Sequence, residues 1–234
     1  MNFAIILAGG KGIRTGFSTP KQFLEIDNIP MIARTIKAFN DAPEIDEICV
    51  VCVPEFVVKM NEIANEFSLN KVKCITKGGD TRQASVLAGL KAIKDDAKED
   101  DIVLIHDGAR PFVNRKIILD NLDAVSKTGA VVTAIRTKDS ILVSLDGKEV
   151  YGYMDRSQLF NVQTPQTFKF GIIYHAHESA VKDGINDATD DACLVVREGK
   201  KVVVVEGNPN NNKITYKEDL DEYLWYNKQV DAKE

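Results

Sequence analysis

The sequence predicts an α/β protein: a Rossmann-like, mostly parallel sheet with helices on both faces and a projecting β-hairpin. Three observations carry that expectation. Short apolar runs bounded by glycine, such as residues 3–8 before Gly9-Gly10, suit strands covered on both faces. These runs alternate with stretches whose apolar residues recur at helical spacing, which implies right-handed crossovers and parallel pairing. Loops rich in glycine and charge follow the first, third and fourth predicted strands, at the sheet edge where such folds bind ligands.

Taken in order, the first strand ends at Gly9, Gly10 and Gly12, and glycine lets backbone N–H groups approach an anion closely. Arg14 and Lys21 add fixed positive charge where a polyphosphate would lie. Residues 30–39 form a helix with Ile32, Ile36 and Phe39 on one face, 45–53 the second strand and 56–67 the second helix. The third strand, 72–76, ends in Gly78-Gly79-Asp80-Thr81-Arg82, and the helix over 82–94 aligns Val86, Leu90 and Ile93. The fourth strand, within 100–107, opens into His106-Asp107-Gly108-Ala109-Arg110-Pro111. A helix over 117–125 and a buried strand over 130–135 follow.

Residues 138–157 break this rhythm. Two strand-like runs, 140–144 and 149–153, flank Asp146-Gly147, a strong hairpin signal, and the insertion reads as an edge flap or a dimerisation arm. Residues 160–168 return to the body and 170–182 form a helix. Thr189-Asp190-Asp191 supplies capping residues for a helix to 198, with Thr189 a plain N-cap and Asp190 and Asp191 a solvated start. A strand over 202–205, a polar loop over 208–212 and a closing helix over 218–229 complete the chain. With no internal repeat, low-complexity tract or clear linker, residues 1–234 read as one domain with the 138–157 arm inserted in it.

A net charge of −5 argues against non-specific nucleic-acid binding, so any cation cluster must be local. No apolar run approaches membrane-spanning length and no secretory signal is visible, which leaves a cytoplasmic location as the default. Cys49 and Cys52 form C-x-x-C inside a strand, where positions i and i+3 face apart, so they read as buried thiols. His175 and His177 lie two apart on a helix and face different directions, and no metal-ligand set emerges. His106 reads as structural, held near its strand end, and the acids between 95 and 101 as a solvated turn.

The first glycine loop lacks G-x-x-x-x-G-K-[ST], and Gly16 falls one residue late for G-x-G-x-x-G because Thr15 stands in its place. A dehydrogenase reading is thereby disfavoured. Leu7-Ala8-Gly9-Gly10-x-Gly12-x-Arg14, with Pro20-Lys21-Gln22-Phe23, resembles the sugar-phosphate cytidylyltransferases. Gly78-Gly79-Asp80-x-Arg82, the 106–111 run, Asp155-Arg156 and Gln163-Thr164-Pro165-Gln166-x-Phe168 extend the match, as do Thr189-Asp190-Asp191-Ala192 and Lys213-Ile214-Thr215. The resemblance is strongest to the erythritol-phosphate enzymes of the non-mevalonate isoprenoid pathway.

That resemblance implies CTP and 2-C-methyl-D-erythritol 4-phosphate as substrates, Mg²⁺ bound mainly through the CTP phosphates, and a homodimer whose arms reach into the partner. It maps CTP binding to Ala8, Gly9, Gly10, Gly79, Asp80 and Ser85, with Arg14 and Lys21 on the triphosphate. Asp107, Arg110, Arg156, Thr164 and Thr189 match positions that hold the sugar phosphate, and Lys213 joins Arg14 and Lys21 as a catalytic cation. Arg156 would act across the dimer interface. Ala8-Gly9-Gly10, however, is the pattern of the ribitol-5-phosphate enzymes, so the acceptor stays open between two polyol phosphates. A non-catalytic nucleotide sensor is the remaining rival, and the intact charged positions argue against it.

Overall fold

The computed structural model describes residues 1–9, 20–216 and 218–221. β1 (Asn2–Ala8) leads to the small hairpin of β2 (Glu25–Ile26) and β3 (Ile29–Pro30), then α1 (Met31–Asn40), β4 (Glu47–Cys52) and α2 (Val57–Glu66). Next come β5 (Val72–Lys77), α3 (Arg82–Ala92), β6 (Ile102–Asp107), α4 (Arg115–Thr128) and β7 (Ala130–Arg136). The arm contributes β8 (Leu142–Val143) and β9 (Gly152–Tyr153), and the body resumes with β10 (Phe160–Lys169), α5 (Phe170–Lys182), α6 (Asp191–Arg197) and β11 (Val203–Glu206).

Seven strands form one sheet in the order β11-β7-β10-β6-β1-β4-β5. Pairing is parallel except at β10, which runs antiparallel between β6 and β7. The period of two along each strand divides the core. Phe3 and Ile5 of β1 pack with α3, α5 and α6, while Ala4, Ile6 and Ala8 pack with α1, α2 and α4. Cys49 falls in the first cluster and Cys52 in the second, so the C-x-x-C thiols face apart as its spacing implies. Each fully buried Ile or Phe of this kind contributes roughly 1.5–3 kcal/mol.

Local chemistry sets the boundaries. The Thr81 side chain caps α3 by accepting from Ala84 N, and Asn114 caps α4 by accepting from Ile117 N. Gly129, at φ 81°, ends α4 in the left-handed region, so the cap and the glycine extend that helix beyond the expected 117–125. β10 carries buried polar residues that obscure its strand character: Gln163, Thr164, Gln166 and Thr167 are all buried. The sheet absorbs them in pairs; Thr167 Oγ1 donates to Asn121 Oδ1 at 3.0 Å, and Asn121 Nδ2 donates to Thr133 Oγ1 at 2.9 Å.

The topology fixes where ligands gather. From β1 the chain crosses to β4 and β5 on one side, then returns to β6 on the other, so β1 and β6 border the switch point. The loops after β1, β5 and β6 open on that side. Residues 218–221 are helical, and the remainder of the expected closing helix lies outside the described residues.

Candidate active site

The two polar residues that end β6 point to opposite faces and do different work. His106 is buried against Phe39, with its Nδ1 3.0 Å from Thr164 Oγ1 and its Nε2 3.1 Å from Arg110 O. Thr164 Oγ1 accepts from Asp107 N at 3.1 Å, so its own proton goes to His106 Nδ1. The ring proton then sits on Nε2 and donates to the Arg110 carbonyl. Burial pushes the His106 pKa down to about 4, which keeps the ring neutral. His106 is structural, as its position at the strand end suggests.

Asp107 faces the crevice and gathers cations. Lys213 Nζ lies 3.0 Å and Arg110 Nε 3.4 Å from its Oδ2, while Arg82 Nε lies 3.7 Å from Oδ1. Burial raises the carboxyl, but Lys213, Arg82 and Arg110 outweigh it and hold the pKa well below the usual carboxylate range. Gly108 allows the turn to sit tightly against β1: its N–H donates to Leu7 O at 2.9 Å, and a Cβ there would lie 2.9 Å from that same oxygen.

The segment carrying Lys213 is fastened to β6 and β10. Ile214 N donates to Ala109 O at 2.9 Å, Arg110 Nη1 to Asn211 O at 2.8 Å, and Asn211 Nδ2 to Thr164 O at 2.7 Å. Lys21 arrives from the loop after β1, and its Nζ donates to Ile214 O at 3.0 Å. Two lysines separated by most of the chain are therefore tied to one short segment, Lys213 by position and Lys21 through the Ile214 carbonyl, and Lys213 reaches Asp107. The Lys213 side chain is 40% exposed, so its ammonium remains accessible to an anion.

On the other side of the crevice, Ser85 is buried and organises the loop after β5. Its Oγ accepts from Gly79 N at 3.2 Å and lies 2.9 Å from Thr81 O. A Cβ on Gly79 would come within 2.5 Å of Ala84 Cβ, so only glycine lets the chain pass so close to α3. A Cβ on Gly9 would lie 3.7 Å from Ser85 Oγ, which places the loops after β1 and β5 side by side. Ala8 is buried and its carbonyl accepts from Gln22 Nε2 at 3.4 Å, whereas Asp80 is exposed at the rim. Gly10 and Arg14 lie outside the described residues.

Two expectations at α6 need correction. The N-cap is Asp190, whose side chain accepts from Cys193 N; Thr189 precedes it and is exposed. Asp191 is buried rather than solvated: Arg82 Nη2 sits 2.8 Å from its Oδ2 and His177 Nε2 3.1 Å from its Oδ1. Gln166 Oε1 accepts from the N–H groups of Asp191 and Ala192 and so satisfies the start of α6 from β10. Arg82, Gln166 and His177 thus converge on Asp191 behind the crevice, and sequence reasoning missed them as a unit. Arg82, Gln166 and Asp191 stand inside the quoted motifs, but His177 lies outside them and carried no signal of its role. Arg156 lies on the exposed arm, where its Nη1 donates to Lys138 O at 3.2 Å, and it does not join the Asp107 cluster.

Among the described residues, no three His, Cys, Asp or Glu side chains converge to hold a metal ion, and no helix is long and apolar enough to cross a membrane.

Comparison with known proteins completes the description. A family model described as 2-C-methyl-D-erythritol 4-phosphate cytidylyltransferase matches residues 2–224. The protein of that name from Clostridium acetobutylicum is 44% identical, over 94% of each chain. A ribitol-5-phosphate cytidylyltransferase from Streptococcus agalactiae is 38% identical over 94% of this chain and 92% of its own. The crystal structure of 4-diphosphocytidyl-2C-methyl-D-erythritol synthase from Anaerococcus prevotii superposes with a TM-score of 0.85 at 30% identity, covering 97% of this chain and 96% of that one.

Proposed function

The chain belongs to the 2-C-methyl-D-erythritol 4-phosphate cytidylyltransferase family, and we propose that it makes CDP-2-C-methyl-D-erythritol and pyrophosphate from CTP and 2-C-methyl-D-erythritol 4-phosphate. The observation that carries this reading is the cluster of Lys213, Arg110 and Arg82 on Asp107 at the switch point of the sheet, with Lys21 fastened to the segment that carries Lys213. An oxygen of the acceptor phosphate attacks the α-phosphorus of CTP; the new P–O bond forms as the bond to pyrophosphate breaks, and pyrophosphate leaves. The attacking phosphate is already anionic at neutral pH, so no general base is needed. The task is to bring two polyanions together and to neutralise charge as it develops.

Lys21 and Arg14 are assigned to the triphosphate, Lys213 and Arg110 to the reacting phosphates. Asp107 and Thr164 position those cations and the β10 turn, and Thr189 is assigned to the acceptor. The backbone at Ala8, Gly9, Gly10 and Gly79, with Asp80, takes the nucleoside, and Ser85 holds that loop in shape. Mg²⁺ asks for oxygen ligands and commonly rides on phosphates. Arg82, Arg110 and Lys213 already engage both Asp107 oxygens, so the donors here suit a cation carried by CTP, which would neutralise phosphate charge.

A homodimer through the 138–157 arm goes with this reading, with Arg156 directed at the partner's crevice. Its support is the exposure of Leu145, Tyr151 and Tyr153, at 78%, 75% and 71%, on a short projecting hairpin. A cytoplasmic location goes with the same reading. A second acceptor, D-ribitol 5-phosphate, is favoured by Ala8-Gly9-Gly10 and by the Streptococcus agalactiae relative. Pyrophosphate release from CTP, measured side by side with the two polyol phosphates, decides between them: turnover with the erythritol phosphate is expected to dominate, and a strong preference for ribitol phosphate would replace the acceptor.

A further inference from the structure

Asp107 places a carboxylate where two polyanions must meet, and an unbalanced negative charge there would repel phosphate. Its Oδ2 is shared by Lys213 and Arg110, both of which the proposed reaction needs for phosphate. Arg82 approaches from the opposite side. It is the first residue of α3, directly after its Thr81 cap, and its guanidinium spans two carboxylates, with Nη2 2.8 Å from Asp191 Oδ2 and Nε 3.7 Å from Asp107 Oδ1. Burial works against the Arg82 charge, but Asp191 and Asp107 outweigh it and the guanidinium stays protonated. Asp191 is anchored behind it by His177 and by Gln166.

The balance of charge gives this arrangement a consequence. Two carboxylates against Arg82, Arg110 and Lys213 leave the cluster net positive. Without Arg82, the carboxylates would cancel the two cations assigned to phosphate, and Asp107 would draw Lys213 inward. We propose that Arg82 is a positioning residue for the acceptor phosphate: it takes up Asp191 and one oxygen of Asp107, so that Asp107 orients Lys213 and Arg110 without cancelling them. This inference rests on the reading that the Asp107 side of the crevice receives the acceptor. The competing account is that Arg82 only compensates the buried charge of Asp191.

Three variants separate these accounts. Arg82→Gln leaves Asp191 without its cation and is expected to lower the melting temperature as well as activity. The double variant Arg82→Gln/Asp191→Asn replaces the buried pair by two amides and is expected to recover the melting temperature. The net charge of its cluster equals that of the wild type, with one carboxylate against two cations, but Asp107 Oδ1 has lost Arg82. Under the proposal Lys213 is therefore drawn inward, and kcat/KM for the acceptor still falls on the order of 100-fold, the scale expected when a reacting group is misplaced. Calorimetric titration with CTP alone should then give a Kd within about twofold of wild type, since the Thr81 cap and the Ser85 bonds that shape the neighbouring nucleoside loop do not involve the Arg82 side chain. Wild-type kcat/KM in the double variant would overturn the inference, as would an equal loss in CTP affinity. Arg82→Lys, which keeps one charge but cannot span both carboxylates, is expected to fold and lose about tenfold; full activity in it would also count against the proposal. Wild-type pyrophosphate release is measured in parallel. Its absence with either polyol phosphate would strike the function itself, independently of how the variants rank.

Discussion

Asp107 is buried among cations supplied by α3, by the turn after β6 and by the segment around Lys213, and each of these is held in turn by backbone or by a second carboxylate. Arg156, on the arm, is exposed and bonds to a carbonyl of the same arm. The first region is knitted into the core within one chain, while the second projects from it and presents apolar side chains to solvent. The buried carboxylates of the cluster, Asp107 and Asp191, therefore serve the fold and the chemistry together, and their substitution should disturb both. Residues of the arm can change with the fold intact, so their effects should appear in activity and assembly alone.

Lys213 tests this contrast most severely, because it belongs to the cluster yet is 40% exposed. Lys213→Ala and Lys21→Ala are each expected to lower kcat on the order of 100- to 1000-fold, with near-UV circular dichroism and melting temperature close to wild type. Near-normal turnover in both variants would remove the cationic mechanism. Asp107→Asn should behave differently, losing activity and also about 3 kcal/mol of stability in urea unfolding, since a buried charge network loses its central anion. An Asp107→Asn protein of unchanged stability would mean that the cluster is not a structural unit.

Acid should expose the same asymmetry. The folded pKa of His106 is about 4 against 6.5 for the free ring, so below pH 6.5 the unfolded chain takes up a proton that the folded ring refuses. Stability is then lost as pH falls from 6.5 to about 4, by about 3 kcal/mol in total. Asp107 and Asp191, both held below 3.8, contribute stability that is present above that value and lost as pH falls below it. Urea midpoints measured between pH 7 and 4 should slope downward in the wild type and in Arg156→Ala, and be flatter in His106→Gln. Equal slopes in all three would remove His106 as the source.

The contrast also explains what could be read in advance. Helices such as α1 and α3 were legible because Ile32, Ile36 and Phe39, and Val86, Leu90 and Ile93, repeat at helical spacing and are indeed buried. The hairpin of β2 and β3 carried a signal that went unused: Asp27 and Asn28 between two isoleucines, with φ of 50° and 60°. β10 was hard to see as a strand because its buried positions hold Gln163, Thr164, Gln166 and Thr167, whose partners lie 25 or more residues away in Asn208, His106, Asp191 and Asn121. Asp191 was misread for the same reason: a helix-start aspartate looks solvated until a distant arginine and histidine arrive. Motif order located the site, but long-range polar pairing, which no local pattern encodes, decides which of its residues are buried.

The smallest expected stability effect belongs to Arg156, and its variant asks where the arm works. Arg156→Ala alters an exposed arm residue, so its unfolding free energy should stay within about 0.5 kcal/mol of wild type. If Arg156 completes the crevice of a second copy, the variant should nonetheless lose turnover. Arg156→Ala and Lys213→Ala are then two inactive proteins with complementary defects. In a mixed dimer of the two, one crevice carries both lesions and the other carries neither. Unfolding and refolding the two variants together at equal concentration should restore about one quarter of wild-type activity per chain, since half of the dimers are mixed and each has one intact site. An arm that serves its own chain leaves one lesion in every crevice, and the mixture then stays as inactive as its parts. Recovery of activity would show that the exposed region completes a partner's site, whereas its absence would return Arg156 to the chain that carries it.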